Sequence, residues 1–386
     1  MDFNMTEQHI MLKESIRNFA AKEIWPIAEE VDLKDEWPEG MWQKLGALGI
    51  MGITVDESYG GAGADLLSAV LVLEELAKAS PAIALSWVAH ANLCLDNLNR
   101  NANLEQKQKY LPNLCSGKHI GALGITEPNA GSDAVNIQTV AVRKGDYYIV
   151  NGTKMFITNG TVANTIILYT KTDREKGPRG ITAFILDSSY PGFSVSRKLR
   201  KYGHRGSPTA ELIMEECIIP AENILIGENK GIHVLMSGLD VERAIAAGEG
   251  LGIAETCLEL SIKYAKERVQ FGKPIGTFQL IQAKLANMYT KIEAGRMLCY
   301  RAAIVAGESK RGGKSTEIHK LGAASFLFNA EMALEVANEA VQIHGGYGYM
   351  LEYPVQRFLR DAKLLTIGGG TSETRRLIIG RELMGV

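Results

Sequence analysis

The spacing of hydrophobic residues changes twice along this 386-residue chain, and that change limits the possible folds more than any other feature. Up to about residue 120, apolar residues recur every three or four positions, as at Leu12, Ile16 and Phe19, which predicts helices. Short apolar runs such as TIILYTKT and GITAFILD then predict strands, and helical spacing returns at about residue 233. The sequence therefore predicts an α+β chain of three domains: a helical domain at 1–120, a β-barrel or β-sandwich domain at 121–232 and a helical domain at 233–386.

Turn signals subdivide the β region. Gly145 in the run KGD and the pair Asn151-Gly152 both separate strand-like segments, and Asn-Gly is the strongest short signal for a two-residue hairpin. Two hairpin turns are therefore predicted there. The basic run SRKLRKYGHR at 196–205 lies between apolar segments, and its charges predict a turn exposed to solvent.

Charge and composition exclude several classes of protein. The 42 basic and 44 acidic residues nearly cancel, and no basic block typical of a nucleic-acid site occurs. No long apolar run predicts a membrane span, and the N-terminus does not resemble a secretory signal or a transit peptide. The five cysteines are scattered without zinc-ligand spacing, which fits buried thiols in a reducing compartment. We therefore expect a cytoplasmic protein without a bound metal.

Three glycine-rich segments, at 59–65, 248–252 and 344–349, invite comparison with nucleotide-binding loops. None has the G-x-G-x-x-G spacing between a strand and a helix, and no G-x-x-x-x-G-K-[ST] motif occurs. A Rossmann domain is therefore not predicted, and a bound nucleotide would need a different geometry. The segment 248–252 lies in a helical pattern, where its glycines would allow helices to pack closely.

Six segments, taken in chain order, carry a resemblance to a known family. They read GALGITEPNAGSDAVNIQT (121–139), NGTKMFITNG (151–160), KERVQFGKPIGTFQLIQ (266–282), QIHGGYGY (342–349), RFLRDAKLL (357–365) and GGGTSE (368–373). Together they resemble the acyl-CoA dehydrogenases, FAD enzymes that introduce an α,β double bond into acyl-CoA thioesters. The resemblance implies an N-terminal helical domain, a middle β domain and a C-terminal four-helix bundle, usually in a homotetramer. It also implies an acyl-CoA substrate and an electron-transferring flavoprotein as electron acceptor.

The resemblance further implies which residues hold FAD. Thr126 would bond to the flavin ring, and Arg268 and Gln279 would reach the pyrophosphate and adenosine side from a neighbouring subunit. Phe156 stands where the family often has tryptophan, which keeps an aromatic surface and loses an indole donor. His344 is interpreted as structural or cofactor-side rather than catalytic. The implied cofactor residues are Leu123, Ile125, Thr126, Gly131, Ser132, Phe156, Ile157, Thr158, Arg268, Phe271, Gln279, Gln342, Ile343, Gly345, Gly346, Thr371 and Glu373.

The resemblance implies that the catalytic base is Glu242, in the run LDVER. Medium- and short-chain members carry a glutamate immediately before the glycine of a Gly-Thr pair, and this chain has Gly369 at that position. The isovaleryl-CoA and long-chain members instead take the base from the helix that contains LD-ER. Without the resemblance, Glu242 would be interpreted as an exposed carboxylate paired with a basic group. The implied substrate-binding residues are Ser132, His233, Asp240, Arg243, Gly369 and Gly370.

A second set of similarities concerns the acyl group. The runs HANLC, LMSGLDVER and GTSETRRLIIGR resemble the isovaleryl-CoA members, and Gly368 and Gly369 would leave room for a branch near Cβ. Leu365, Trp87 and His233 each replace a tyrosine of those members, so other short-chain, cyclic or substituted acyl-CoAs remain alternatives. A flavin monooxygenase or oxidase of the same fold is a further alternative, against which the implied base argues.

Overall fold

The structure is a computed structural model that describes residues 5–308 and 316–385. Its N-terminal part is helical, as the hydrophobic spacing predicts, and a capping box at Thr6 begins the first helix. The helix that follows Asp65 is buried on nearly every side, which explains its apolar composition. A π-helical segment, Ala89–Asp96, links two of the later helices. The α-helices of this part are α1 (Glu7–Phe19), α2 (Ala28–Lys34), α3 (Met41–Ala47), α4 (Leu66–Ala79), α5 (Pro81–Val88), α6 (Asn97–Asn101) and α7 (Leu104–Cys115).

The middle of the chain contains β1 (Gly121–Gly124), β2 (Val140–Lys144), β3 (Tyr147–Thr158), β4 (Thr165–Lys171), β5 (Ile181–Asp187), β6 (Phe193–Lys198) and β7 (Thr209–Pro220). These strands form one curled sheet in the order β1-β4-β2-β3-β7-β6, with β5 paired to β4. Both faces of β4 are covered by hydrophobic clusters, so its side chains are all buried. The predicted α+β fold, helical at both ends with a β domain between them, is confirmed.

One of the two predicted hairpin turns is wrong. β2 and β3 do join through Gly145, which has a φ of 67°. β3, however, continues through Asn151 and Gly152, where its pairing with β7 shifts register at a β-bulge. A Cβ atom on Gly152 would lie 2.4 Å from Oγ1 of Thr139. Gly152 therefore allows a close approach of two chain segments, a role of glycine in strands that the sequence does not distinguish from a turn.

The C-terminal part contains α8 (Gly231–Glu267), a hairpin of β8 (Val269–Gln270) and β9 (Lys273–Pro274), then α9 (Gln279–Glu308), α10 (Thr316–His344), α11 (Val355–Leu365) and α12 (Ser372–Met384). α8 packs against both α4 and α10. A Cβ atom on Gly252 would lie 2.3 Å from the carbonyl oxygen of Glu74 in α4, and one on Gly250 would lie 2.7 Å from that of Asn329 in α10. The glycines of 248–252 therefore allow close helix packing, as predicted.

The basic run at 196–205 is not exposed to solvent along its whole length, as the prediction of an exposed turn requires. His204 is fully buried, and its Nε2 lies 2.6 Å from Oε1 of Glu249 in α8. The backbone N–H of His204 donates to the carboxylate of Asp361 in α11. Charge alone predicted exposure, whereas these buried partners hold the run at the junction of the sheet with the C-terminal helices.

One hydrophobic cluster joins the N-terminal helices to the C-terminal helices, so these two parts share a core. The limits of the three domains stay a prediction. Within the part of the chain that the structure describes, no helix is long and apolar enough to cross a lipid bilayer. Over the same residues, no group of three or more histidine, cysteine or acidic side chains could hold a metal ion.

Candidate active site

Glu242 lies on α8, and its side chain is buried. Burial raises the pKa of Glu242 to about 7, and the positive charges of Arg243 and Arg375 partly offset this rise. The alternative interpretation of an exposed carboxylate is therefore wrong. A carboxyl group with a pKa near 7 can take up and release a proton at neutral pH, which is what a general base requires.

The glycine segment between α11 and α12 lies against Glu242. Gly369 and Gly370 have φ angles of 62° and 85°, which residues with a side chain rarely adopt. A Cβ atom on Gly369 would lie 3.2 Å from Oε1 of Glu242 and 2.8 Å from Cε1 of Phe326 in α10. The nearest atom to a Cβ on Gly368 would be 3.6 Å away, an ordinary contact. Both the backbone conformation and the lack of space beside the carboxylate therefore require glycine at 369.

Arg375, in the first turn of α12, is a site residue that the sequence did not reveal. It is fully buried, and its guanidinium carbon lies 3.5 Å from the centre of the Phe326 ring. It donates to the carbonyl oxygen of Leu365 at 2.9 Å and to that of Gly368 at 2.5 Å, so it fixes the glycine segment. Burial lowers the pKa of Arg375 to about 10, while the Glu242 carboxylate acts in the opposite direction. An arginine in the polar run SETRR gave no signal that it would be buried.

Asp240 and Arg243 lie one turn apart on α8, beside Glu242. Oδ1 of Asp240 accepts a hydrogen bond from Nη1 of Arg243 at 3.4 Å and lies 2.6 Å from Nδ1 of His319 in α10. His319 had no place among the predicted site residues. The structure thus brings three of the predicted substrate residues, Asp240, Arg243 and Gly369, together with Glu242, whereas His233 is exposed in the first turn of α8.

Two segments predicted to contact the flavin are joined by hydrogen bonds. The buried Lys154 of β3 donates to the carbonyl oxygen of Ile125 at 3.1 Å and to Oε1 of Glu127 at 2.7 Å. The backbone N–H of Met155 donates to the carbonyl oxygen of Thr126 at 2.8 Å. The predicted cofactor residues on these two segments are Leu123, Ile125, Thr126, Gly131 and Ser132 on the first, and Phe156, Ile157 and Thr158 on the second.

Phe156 combines an unusual backbone with high exposure. Its φ is 62°, which is rare for a bulky residue, and it is 66% exposed. The pairing of β3 with β7 shifts register between Lys154 and Ile157, so Phe156 lies at a bulge. Strained backbone geometry of this kind is typical of ligand-contact positions.

A second group of predicted cofactor residues lines a cavity of about 520 Å³ between α8, the β8-β9 hairpin and the end of α10. The guanidinium of Arg268 lies 5.3 Å from the centre of the Tyr347 ring at this cavity. Phe271, between β8 and β9, is 92% exposed, and Gln279 is exposed at the start of α9. The predicted cofactor residues that line the cavity are Arg268, Ile343, Gly345 and Gly346.

The remaining predicted cofactor residues lie at the ends of α10 and α12. Thr371 caps α12 with its side-chain oxygen and, with Glu373, lines another cavity of about 680 Å³. Gln342 is exposed in the last turn of α10. His344 is buried, its ring lies 4.3 Å from that of Tyr264 and its Nδ1 is 2.7 Å from a backbone carbonyl oxygen one turn earlier. This packing is what the structural interpretation of His344 requires.

Family models match almost the whole chain. The models described as the N-terminal, middle and C-terminal domains of acyl-CoA dehydrogenase match residues 6–118, 122–217 and 229–384. The chain belongs to the acyl-CoA dehydrogenase family. As an acyl-CoA dehydrogenase, it is an oxidoreductase that acts on acyl-CoA thioesters, which confirms the function class that the six segments predicted.

Similar acyl-CoA dehydrogenases differ in the acyl group that their names give. Isovaleryl-CoA dehydrogenase of Pongo abelii is 48% identical over 381 residues, which cover 98% of this chain and 89% of that protein. A 2-methylacyl-CoA dehydrogenase of Solanum tuberosum is 48% identical over 373 residues, which cover 96% of this chain and 89% of that protein. Two solved structures match over 100% of both chains with a TM-score of 0.96. One is butyryl-CoA dehydrogenase from Megasphaera elsdenii, at 41% identity. The other, at 43% identity, is a chain in the structure titled "Electron transferring flavoprotein of Acidaminococcus fermentans: Towards a mechanism of flavin-based electron bifurcation".

Proposed function

We propose that this acyl-CoA dehydrogenase oxidises a short branched acyl-CoA of the isovaleryl-CoA type, with Glu242 as the base that removes the α-proton. One observation carries the proposal: the buried carboxylate of Glu242, whose pKa burial raises to about 7, lies against Gly369. By the motif resemblance, the family takes its base from one of these two positions. Because Oε1 of Glu242 lies 3.2 Å from the Cβ position of Gly369, both positions reach the same point, and only Glu242 carries a carboxylate there.

The surroundings of Glu242 suit proton removal from a weak carbon acid. Burial disfavours the ionised carboxylate, which makes it a stronger base than an exposed glutamate. Arg243 and Arg375 stabilise the ionised form enough for part of it to be present at neutral pH. Once the proton has moved from Cα to the carboxylate, the side chain is neutral, and its burial then stabilises the product state of that step.

The residues present fit an FAD cofactor. The exposed ring of Phe156 offers an aromatic surface beside the segment of Thr126. Arg268, Gly345 and Gly346 line one cavity; the guanidinium can donate two hydrogen bonds to a pyrophosphate, and the glycines let a ligand approach the backbone closely. When bound, FAD supplies the acceptor for the hydride that leaves Cβ. The chain itself orients the thioester, takes the α-proton at Glu242 and keeps bulk water from that carboxylate.

Phe271 and Gln279 support a cofactor site shared between subunits. Both are exposed, and Val269 and Leu280, nearby in the chain, expose further apolar surface beside the 92% exposed ring of Phe271. Exposed apolar surface of more than one residue is typical of a surface that another protein covers. We propose a homotetramer in which these residues and Arg268 reach the cofactor of a neighbouring subunit. The similarity to a chain in the structure titled as an electron transferring flavoprotein supports a protein of that kind as electron acceptor.

The acyl group is the finer part of the proposal. Gly368 and Gly369 leave the turn before α12 without side chains, which favours a branched group, and relatives at 48% identity are named for isovaleryl-CoA and 2-methylacyl-CoA. Leu365 and Trp87, two of the residues that replace a tyrosine of the isovaleryl-CoA members, are both buried. Nε1 of Trp87 donates to the carbonyl oxygen of Ile50 at 3.1 Å, so the indole is fixed. A short straight-chain acyl-CoA is the second candidate, because of the similarity to butyryl-CoA dehydrogenase.

A panel of acyl-CoAs with the purified FAD enzyme and an artificial acceptor tests the proposal. We expect the highest kcat/KM with isovaleryl-CoA or 2-methyl-branched analogues, and values about 10–200-fold lower for analogues that differ by one methylene group. Glu242→Gln should keep FAD and lower turnover by about 10²–10⁴-fold. Glu228→Gln is the control, because Glu228 accepts a hydrogen bond from Tyr148 in the β domain. Near-normal turnover of Glu242→Gln would refute the base, and oxygen consumption equal to substrate oxidation would favour an oxidase.

A further inference from the structure

His319 lies on α10, opposite the part of α8 that carries the proposed base. Its ring is partly exposed, and Nδ1 is 2.6 Å from Oδ1 of Asp240. The two helices come close at Gly322, where a Cβ atom would lie 3.3 Å from the carbonyl oxygen of Asp240. The contact between His319 and Asp240 therefore lies within a close helix-helix contact, next to the site.

Asp240 has a second cationic neighbour, Arg243. Nη1 of Arg243 donates to the same oxygen, Oδ1, at 3.4 Å, which is a long hydrogen bond. Arg243 is buried, and within the described residues its Nε has no hydrogen-bond partner. A buried guanidinium with an unused donor is costly unless a ligand supplies an acceptor. Arg243 therefore has an unpaired N–H donor beside Glu242 that is available to a bound ligand.

We propose that His319 is a positioning residue that binds the Asp240 carboxylate when its ring is protonated, and thereby leaves the Arg243 guanidinium free to donate to the acyl-CoA. This inference rests on the proposed function, in which Asp240 and Arg243 lie on the substrate side. When the ring is neutral, its contact with Asp240 loses the attraction between opposite charges and is weaker. Asp240 then pairs with Arg243 instead, and the enzyme binds acyl-CoA more weakly.

The charged groups around His319 determine the pH range of this effect. They are Asp240 and Arg243 on α8 and Glu382 on α12. The hydrogen bond to Asp240 raises the pKa of His319 above its ordinary value, with partial burial acting against it. A raised histidine pKa means that the protonated form is present below that pKa and is lost as pH rises through it. Affinity for acyl-CoA should therefore fall as pH rises through the raised pKa of His319.

The test measures the Kd of isovaleryl-CoA by equilibrium dialysis with the FAD-loaded enzyme between pH 6.5 and pH 9. The Glu242→Gln background slows turnover and removes the titration of the base, and no electron acceptor is added. In that background we expect the Kd to rise about tenfold across the range, as for loss of one hydrogen bond to a charged group. With His319→Lys added, the Kd should stay low at every pH, because the cation is permanent. With His319→Asn added, the Kd should be high at every pH.

The chain offers a matched control in a second histidine–aspartate pair. Nε2 of His9 in α1 lies 3.1 Å from Asp65, at the start of α4. His9→Asn should leave the Kd and its pH dependence unchanged. The inference is overturned if His319→Lys keeps the alkaline weakening, or if His319→Asn binds as tightly as the parent at pH 6.5. If the wild-type enzyme turns over acyl-CoA but these variants change nothing, only this inference fails; if no acyl-CoA of the panel is bound or oxidised, the proposed function fails with it.

Discussion

Gly369→Ala is the most direct test of the geometry beside the proposed base. The φ of 62° at this residue costs about 1–2 kcal/mol once a Cβ is present. The new methyl group would also lie 2.8 Å from Cε1 of Phe326 and 3.2 Å from Oε1 of Glu242. Crowding of this kind in a packed site costs about 1–3 kcal/mol. We therefore expect the free energy of unfolding to fall by about 2–5 kcal/mol.

Gly368→Ala is the matched control, because it changes the adjacent residue in the same segment. Its Cβ would meet its nearest atom at 3.6 Å, and its backbone is not in the left-handed region. We expect less than about 1 kcal/mol of change in either direction. The two variants therefore add the same methyl group at adjacent positions, but they differ in the backbone conformation and in the space around that group.

Urea unfolding followed by tryptophan fluorescence measures stability, and steady-state kinetics with isovaleryl-CoA measures the site. The methyl group in Gly369→Ala moves the Glu242 carboxylate, and a misplacement of about 1 Å can lower kcat/KM by about 10²-fold. Gly368→Ala should retain most of the activity. Equal effects of the two substitutions on stability would refute the argument from space at 369. A folded Gly369→Ala enzyme with unchanged kcat/KM would refute the position of the carboxylate.

Four further predictions follow from the contacts of Glu242, Arg375 and Lys154. The value of kcat/KM should rise with pH through about 7, because Glu242 acts as a base only after it loses its proton, and a pH–kcat/KM profile without this rise would contradict the role. The same raised pKa means that the folded chain binds this proton more tightly than the unfolded chain. Glu242 therefore destabilises the fold as pH rises from about 4.5 to about 7. Glu242→Gln should unfold at a higher temperature than the wild type at pH 8 but not at pH 4. Arg375→Gln removes a cation that lowers the pKa of Glu242, so the rise in the pH–kcat/KM profile should move toward higher pH, and less for Arg375→Lys; an acidic shift would contradict this. Lys154→Met breaks the bonds that join Ile125 and Glu127 to β3, so the Kd for FAD, measured by fluorescence titration of the apoenzyme, should rise about tenfold or more, and an unchanged Kd would show that the pair does not position the cofactor segments.

The order of helical and β regions could be predicted because hydrophobic spacing reports which side of an element is buried. Spacing does not report which elements meet. Asn151-Gly152 has the composition of a hairpin turn, but the glycine is needed because Thr139 of another segment approaches it at a bulge. His204 lies in a basic run, but it is buried because α8 and α11 supply acidic partners. A cytoplasmic location stays a prediction from the cysteine pattern.

The site shows the same limit. The resemblance supplied Glu242, whose burial the structure then showed, but Arg375 and His319 were missed. Each lies on a helix among polar neighbours, and each has its role only through a partner distant in sequence. Arg375 is buried against Phe326 of α10, and His319 faces Asp240 of α8. One sequence without its homologues gives no signal for such pairs, because neither residue is unusual in its own segment.

On the proposed mechanism, the location of the base and the shape of the acyl site cannot vary independently. Glu242 of α8 and Gly369 of the turn before α12 meet at one point beside Phe326. A carboxylate on residue 369 would fill the space on the turn side of that point, next to the acyl group. A carboxylate on α8 leaves the turn bare, and Arg375 can then hold the bare turn close through the carbonyl oxygens of Leu365 and Gly368. The residue at position 369 and the location of the base therefore depend on each other, and a side chain placed at residue 369 should weaken the base and the preference for a branch together.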